Sequence, residues 1–173
     1  MTRTEMPPVL VTGATGRIGR AVVDQLLAAG VPVRALTHRP EAVAALPTRV
    51  DVVTGDLTVP DSLDAALHGV RTVFLVWTAP PATVPAVVER LAAHPRRVVF
   101  LSSPHQTPHP FFQQPNPMAA LHADIERRLA AAGLESTIIR PGMLASNVLF
   151  WWADAIRAGG VVRWPYGAAE TAP

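Results

Sequence analysis

Short apolar runs alternate along the chain with longer segments in which apolar and polar residues are mixed. The apolar runs lack the strict alternation of half-exposed strands, which is typical of strands buried on both faces of a parallel sheet. They predict strands at 9–12, 33–37, 50–54, 72–77, 97–102 and 136–140. The segments between them predict helices at 17–29, 40–46, 62–67, 83–94 and 118–132.

This regular alternation predicts an α/β fold: a doubly wound parallel sheet of the Rossmann type, with helices on both faces and right-handed crossovers. Gly30 and Gly133 stand where glycines end helices, and Asp61 or Ser62 is the expected N-cap of the helix that follows. Such folds bind ligands in loops at the carboxyl ends of their strands. One of these loops, 103–117, is long and irregular and carries five prolines.

The first predicted strand runs directly into glycines at 13, 16 and 19, and a helical pattern begins at once. In this context the first glycine turns the chain, the second lets a pyrophosphate approach the backbone, and the third lets the helix pack on the sheet. The pyrophosphate then lies on free N–H groups at the positive end of the helix. The loop predicts a dinucleotide site at Gly13, Thr15, Gly16, Arg17, Ile18 and Gly19. A tight turn without a ligand is the alternative.

The position that distinguishes NAD from NADP lies about 20 residues after the glycine motif, where NAD enzymes have an acid that binds the ribose 2′-OH. Here the chain has His38 and Arg39 and no acid. A guanidinium binds a 2′-phosphate bidentately, with Arg17 as a third candidate contact. We therefore expect NADP(H) to be preferred and NAD(H) to be possible. The alternative is that Arg39 is a solvated loop charge.

Further stretches agree with the predicted dinucleotide site: Gly-Asp-Leu at 55–57, Phe-Leu-Ser-Ser at 100–103, and the segment from Gly-Leu at 133–134 to Arg-Pro-Gly at 140–142. Together with the loop at 12–19 they resemble the NmrA-like group of atypical short-chain dehydrogenases. The resemblance covers 9–147 and implies NAD(P) binding there. The further cofactor contacts expected are Asp56, Leu57, Trp77, Ser102 and Pro141.

The tyrosine and lysine that catalyse reduction in standard short-chain dehydrogenases are missing. The chain has no lysine, and Tyr166, its single tyrosine, is followed four residues later by Glu170. By the resemblance, the tyrosine position falls on Met118, the lysine position on His122, and the third catalytic position on Pro104. The usual proton relay of the family is therefore absent.

Two classes of function remain open. One is an NADPH-dependent reductase of a small aromatic, quinone or enone compound, in which His122, His105 or His109 supplies a proton. The other is a regulatory protein of the NmrA type that senses NADP(H) without catalysis. His122 and Glu126 are spaced to pair on one helix face, either to orient the imidazole or as a surface ion pair.

The last part of the chain carries Trp151 and Trp152 on a short predicted helix. These residues and Phe111-Phe112 could line a pocket for an aromatic small-molecule substrate or pack against another subunit. Relatives continue further, so the substrate subdomain is expected to be truncated or minimal. We predict a tail at 1–8, the Rossmann domain at 9–147 and a partial substrate-side segment at 148–173. A homo-oligomer or a partner chain is expected to cover the apolar surface at 149–164.

Composition narrows the function further. With no cysteine, disulfides and thiolate chemistry are excluded, and we predict no metal site because no carboxylate completes a set with His105, His109 and His122. The net charge of +2 is spread over scattered arginines, so no nucleic acid is expected as a partner. No apolar run is long enough for a membrane span, and the expected compartment is the cytoplasm. The arginine-rich, alanine-rich composition suggests a bacterial protein of secondary metabolism.

Overall fold

A six-stranded parallel sheet organises the computed structural model, which describes residues 6–94, 97–105, 116–142 and 144–162. The strand order is β3-β2-β1-β4-β5-β6, so the order reverses between β1 and β4. The strands are β1 (Val9–Val11), β2 (Val33–Thr37), β3 (Asp51–Thr54), β4 (Thr72–Val76), β5 (Arg97–Leu101) and β6 (Glu135–Ile139). The predicted doubly wound fold is confirmed, with each predicted strand within two residues of its observed bounds.

The helices lie between successive strands, except the last two, which follow β6. They are α1 (Arg17–Ala28), α2 (Asp64–Leu67), α3 (Val84–Ala93), α4 (Pro117–Ala131), α5 (Val148–Trp151) and α6 (Ala153–Arg157), with 3-10 helices at Pro40–Ala45, Pro60–Leu63, Pro81–Thr83 and Ala145–Asn147. Gly30 and Gly133 follow α1 and α4 with φ of +74° and +71°, as expected of glycines that end helices. Within the described residues no helix is both long and apolar enough to cross a membrane.

Alternate residues of each central strand pack into two apolar layers. In β4, Val73 and Leu75 contribute to the layer formed with α2, α3 and α4. Phe74 contributes to the opposite layer, formed with α1. Both faces of the sheet are therefore covered. Because β1 pairs directly with β4, their carboxyl ends are neighbours at the point where the strand order reverses.

The structure corrects four predictions. The segment at 40–46 is a 3-10 helix over Pro40–Ala45 and not an α-helix, and it stops before Leu46, in which the following Pro47 disfavours helical geometry. The helix predicted at 62–67 begins as a 3-10 turn. Its predicted N-cap residues, Asp61 and Ser62, therefore cap no α-helix. The Ser62 hydroxyl bonds instead to Val59 and Asp56. Finally, β3 and β6 are the outer strands, and their side chains are not buried on both faces.

Candidate functional site

The glycine loop occupies the carboxyl end of β1, where the strand order reverses. Gly13 has a φ of +61°, and an added Cβ there would lie 3.2 Å from Cβ of Val76 at the end of β4. A Cβ on Gly19 would lie 2.2 Å from the Gly13 carbonyl oxygen. The loop and the first turn of α1 are therefore packed backbone to backbone, as the glycine pattern predicts.

Thr12 joins the two strands beside this loop. Its hydroxyl donates to the Val76 carbonyl at 2.9 Å and accepts from the Val76 N–H at 2.7 Å. The side chain thereby continues the pairing of β1 with β4 past the point where the backbone of β1 turns into the loop. Thr12 was not predicted from the sequence, although it is adjacent to the glycine motif.

A cavity of about 310 Å³ lies over the glycine loop, and we call it the adenosine-side cavity. Its lining includes seven of the predicted cofactor residues: Gly13, Thr15, Gly16, His38, Arg39, Asp56 and Leu57. His38 and Arg39 are exposed at the end of β2, and the Arg39 N–H donates to the Thr37 hydroxyl at 3.1 Å. The lining also includes one acid, Asp56, which follows β3 and accepts from the Thr58 N–H at 2.8 Å, whereas the two residues directly after β2 are His38 and Arg39.

A second cavity of about 310 Å³ lies on the far side of Val76, which lines both. We call it the substrate-side cavity. Its lining includes the predicted residues Ile18, Trp77, Ser102, His122 and Pro141. Trp77 is buried and donates its indole N–H to the Ala79 carbonyl at 2.6 Å, which fixes the ring in the wall.

His122 and Ser103 form a pair in the wall of the substrate-side cavity. The Ser103 hydroxyl oxygen lies 2.8 Å from Nδ1 of His122, and the imidazole packs edge-on against Phe100 at 5.4 Å between ring centres. Burial lowers the pKa of His122 below its usual 6.5; the charge of Glu126 acts in the opposite direction to a smaller extent, and His105 lowers the pKa slightly further. His122 is therefore neutral near pH 7 and is held by a hydroxyl at one ring nitrogen.

Glu126 is the centre of a second polar cluster, behind the first. Its carboxylate accepts from the Ser102 hydroxyl at 2.5 Å and from Nε of Arg140 at 2.9 Å, with Nε2 of His105 at 3.1 Å and Nη2 of Arg140 on the second oxygen. Burial alone would raise the pKa of Glu126, but the hydrogen bonds from Arg140, Ser102 and His105 outweigh it and lower the pKa to about 2. The carboxylate thus ties together β5, α4 and β6.

This cluster changes the interpretation of two predicted residues. The side chain of Glu126 is 11% exposed, so the suggested surface ion pair with His122 is wrong. The cation that pairs with Glu126 is Arg140. His105 contacts Glu126 and does not line the substrate-side cavity, unlike His122. The geometry therefore separates the two candidate proton donors, with only His122 of this pair in the wall of the cavity.

Arg17 lies apart from His38 and Arg39, the residues that follow β2. It lines a third cavity, of about 270 Å³, together with Gly13, Gly16, Ser146 and Phe150. The structure therefore places Arg17 near the loop glycines and the segment after β6, and not with His38 and Arg39 as a further contact to a 2′-phosphate.

Several predicted features lie outside the described residues. They are His109, Phe111, Phe112, Trp164 and Tyr166. Among the residues that the structure describes, no group of three histidine or carboxylate side chains is arranged to hold a metal ion.

The three cavities share one lining residue, Val76 at the end of β4. Two of them are lined by glycine backbone at the N-terminus of α1, where phosphates bind. The adenosine-side cavity also has His38 and Arg39, and the substrate-side cavity has the His122–Ser103 pair. The groups that a dinucleotide needs are therefore present around Val76.

Comparison with known proteins agrees with this geometry. Residues 13–148 match the model of a family described as NAD(P)H-binding. The chain therefore belongs to this NAD(P)H-binding family, and its resemblance to the NmrA-like atypical short-chain dehydrogenases is confirmed. The predicted dinucleotide cofactor is confirmed with it.

Two curated relatives match nearly the whole chain. A (4-alkanoyl-5-oxo-2,5-dihydrofuran-3-yl)methyl phosphate reductase of Streptomyces griseus is 38% identical over 95% of this chain. An NAD(P)H azoreductase of Xenophilus azovorans is 31% identical over 94%. The chain spans 57% of the length of each relative.

Solved structures share the fold. The triphenylmethane reductase of a Citrobacter species, complexed with NADP(H), has a TM-score of 0.73 at 22% identity, over 90% of this chain and 56% of the other. The NADPH-dependent quinone oxidoreductase of Escherichia coli, complexed with NADPH, has a TM-score of 0.72 at 25% identity, over 87% of this chain and 54% of the other. The chain is thus an NAD(P)H-binding, reductase-like protein.

Proposed function

We propose that the protein is an NADPH-dependent reductase of a small conjugated acceptor, such as a quinone or an enone, and that His122 assists the reaction. The observation that carries this proposal is the His122–Ser103 pair in the wall of the substrate-side cavity. A buried imidazole with one ring nitrogen held by a hydroxyl has a fixed orientation, and we assign its other nitrogen, Nε2, to the ligand.

The residues present suit acceptors that need little acid assistance. NADPH, when bound, supplies a hydride from its nicotinamide, and most of the rate enhancement then comes from positioning. With its proton on Nε2 and Nδ1 accepting from the Ser103 hydroxyl, a neutral imidazole donates a hydrogen bond to the oxygen on which negative charge develops, as an oxyanion hole does. The anion formed by hydride transfer then takes its proton from solvent. Quinones and enones spread that charge over a conjugated system, so one such donor serves them better than it serves a simple ketone.

The names of the similar proteins support this choice of acceptor. The Streptomyces relative reduces, by its name, an unsaturated lactone that carries an alkanoyl group. The neighbours of similar fold are named for triphenylmethane and quinone reduction. The unsaturated lactone and the quinone are conjugated acceptors, and we extend that class, and no single member of it, to this chain.

Steady-state loss of the reduced nicotinamide absorbance, measured across a panel of quinones and enones, tests the proposed function. We expect turnover with part of the panel and none with saturated ketones. Tight NADPH binding without turnover across the panel would support the sensing alternative instead.

Substitution of His122 is expected to lower kcat for the best acceptor by about 100-fold, because loss of one donor to a developing oxyanion costs at least that much. The variants are H122Q and S103A. We expect S103A to lower kcat about tenfold, because the imidazole then lacks the hydroxyl that orients it. H68Q is the matched control, since His68 is exposed and precedes β4 at the opposite edge of the sheet. Stopped assays of each variant at saturating NADPH give kcat directly.

The pH dependence distinguishes the form of His122 that acts. Because burial lowers the pKa of His122, we expect wild-type kcat to stay constant from about pH 7 to 9. A protonated imidazole acting as the acid would instead make kcat fall tenfold per pH unit over that range, which contradicts the proposed role.

Discrimination between the two cofactors is expected to depend on Arg39. The charge-assisted bonds of a guanidinium to a 2′-phosphate correspond to about a 10- to 100-fold difference in Kd. We therefore expect R39A to weaken NADPH by that factor and to leave NADH unchanged, with R39K intermediate. R71Q, at an exposed arginine before β4, is the control. Equal weakening of both cofactors in R39A would remove Arg39 from the 2′-phosphate site.

A further inference from the structure

Arg17 contacts two parts of the chain that are far apart in sequence. It is the first residue of α1, within the glycine loop motif. Its Nη1 donates to the Ser146 carbonyl at 3.2 Å. Its guanidinium carbon lies 4.8 Å from the centre of the Phe150 ring, within the range of a cation–π interaction. Arg17 therefore links the phosphate loop to the segment that follows β6.

That segment, 144–157, contains the 3-10 helix Ala145–Asn147 and the short helices α5 and α6, and it borders the substrate-side cavity at Leu144 and Asn147. Helices of four and five residues are too short to be stable alone, so their position depends on contacts with the rest of the protein. Phe150 is 73% exposed, and its ring is nevertheless stacked by the Arg17 guanidinium. The contact is placed to hold the segment against the loop.

The same guanidinium shares a cavity with the loop glycines. Gly13, Gly16, Arg17, Ser146 and Phe150 all line the third cavity. A pyrophosphate on the N-terminus of α1 would lie beside these glycines. A guanidinium has five N–H donors, and the bond to Ser146 uses one of them. Donors of the kind that bind phosphate oxygens are thus present where the loop meets the segment.

We propose that Arg17 is a positioning residue that couples dinucleotide binding to the ordering of the segment 144–157. A phosphate bound beside Arg17 restrains the guanidinium, and the restrained guanidinium holds Ser146 and Phe150. Because such coupling is reciprocal, loss of the Phe150 contact weakens dinucleotide binding although Phe150 belongs to another part of the chain. This inference needs dinucleotide binding only, and it does not depend on the proposed reduction.

Hydrogen–deuterium exchange and NADPH titration of the same samples test the coupling. In the wild-type protein we expect NADPH to slow amide exchange in 144–157. F150L, which removes the aromatic face and keeps an apolar side chain, should weaken NADPH by about two- to fivefold, the range of an exposed cation–π contact. R17Q should weaken NADPH further and abolish the protection of 144–157. R157Q is the control, since Arg157 lies in the same segment and pairs with Asp154.

The results separate this inference from the cofactor assignment. Unchanged NADPH affinity in F150L, or exchange in 144–157 that does not respond to NADPH in the wild-type protein, overturns the coupling and leaves dinucleotide binding intact. Absence of NADPH binding in the wild-type protein overturns the cofactor assignment itself. Thermal melts of F150L and R17Q are expected to resemble the wild type, because both side chains are at the surface.

Discussion

Replacement of Gly19 by alanine is expected to lower NADPH affinity by at least 100-fold and the free energy of unfolding by about 3 kcal/mol or more. The added Cβ would lie 2.2 Å from the Gly13 carbonyl oxygen and 2.7 Å from its carbon, and neither backbone atom can move aside as a flexible side chain could. Helix α1 must therefore separate from the loop, which removes the pyrophosphate site. Fluorescence titration with NADPH and chemical unfolding measure the two effects.

Two sets of variants complete this test. G30A and G133A place a methyl group where no atom lies within 4 Å, so their cost is backbone strain alone, about 1–2 kcal/mol, with NADPH affinity unchanged. G16A meets the Gly13 oxygen at 3.2 Å and should fold while binding NADPH about tenfold more weakly. It keeps the test informative if G19A does not fold. NADPH affinity in G16A and G19A equal to that of G30A would contradict the predicted role of the loop.

Replacement of Glu126 by glutamine is expected to lower the free energy of unfolding by more than an exposed ion pair contributes, because the 11% exposed carboxylate loses its charge-assisted bonds from Ser102 and Arg140. Urea unfolding of E126Q measures this. E135Q is the matched control, since Glu135 is 69% exposed and pairs with Arg97 at 3.6 Å, and surface pairs of this kind contribute less than about 1 kcal/mol. Equal stability losses in the two variants would mean that the Glu126 cluster contributes no more than a surface pair.

The pH dependence of stability has a definite sign at this cluster. The folded-state pKa of Glu126 is about 2, below its ordinary value of 4.5, so its stabilising effect is present above about pH 4.5 and is lost as the pH falls towards 2. Wild-type protein should therefore lose stability over that interval more steeply than E126Q. Parallel curves for the two proteins would contradict the assigned pKa.

The parts of this molecule that depend on local sequence could be predicted. The six strands, the glycine loop and the basic end of β2 are each encoded within a few consecutive residues, and the structure places them as expected. Strand ends differ by at most two residues, because pairing with a neighbouring strand and not composition decides where a strand stops.

The polar clusters could not be predicted because each joins elements distant in sequence. The i, i+4 spacing pointed to a pair between His122 and Glu126. In the fold Glu126 is instead bound by Ser102 and His105, which follow β5, and by Arg140, which follows β6. His122 is left with Ser103, a residue that spacing could not connect to it. Similarly, the sequence predicts Arg17 as a contact to the 2′-phosphate, whereas in the fold its guanidinium lies beside Ser146.

The most direct test of the central claim, hydride transfer to a small conjugated acceptor, follows the transferred atom. The protein is incubated with NADPH that carries deuterium at the nicotinamide C4 position and with the best acceptor of the panel, and the product is examined by mass spectrometry. The account predicts that the wild-type protein yields product containing deuterium from that position and that H122Q yields it far more slowly. Tight NADPH binding with no deuterated product, or equal rates in wild type and H122Q, would contradict it.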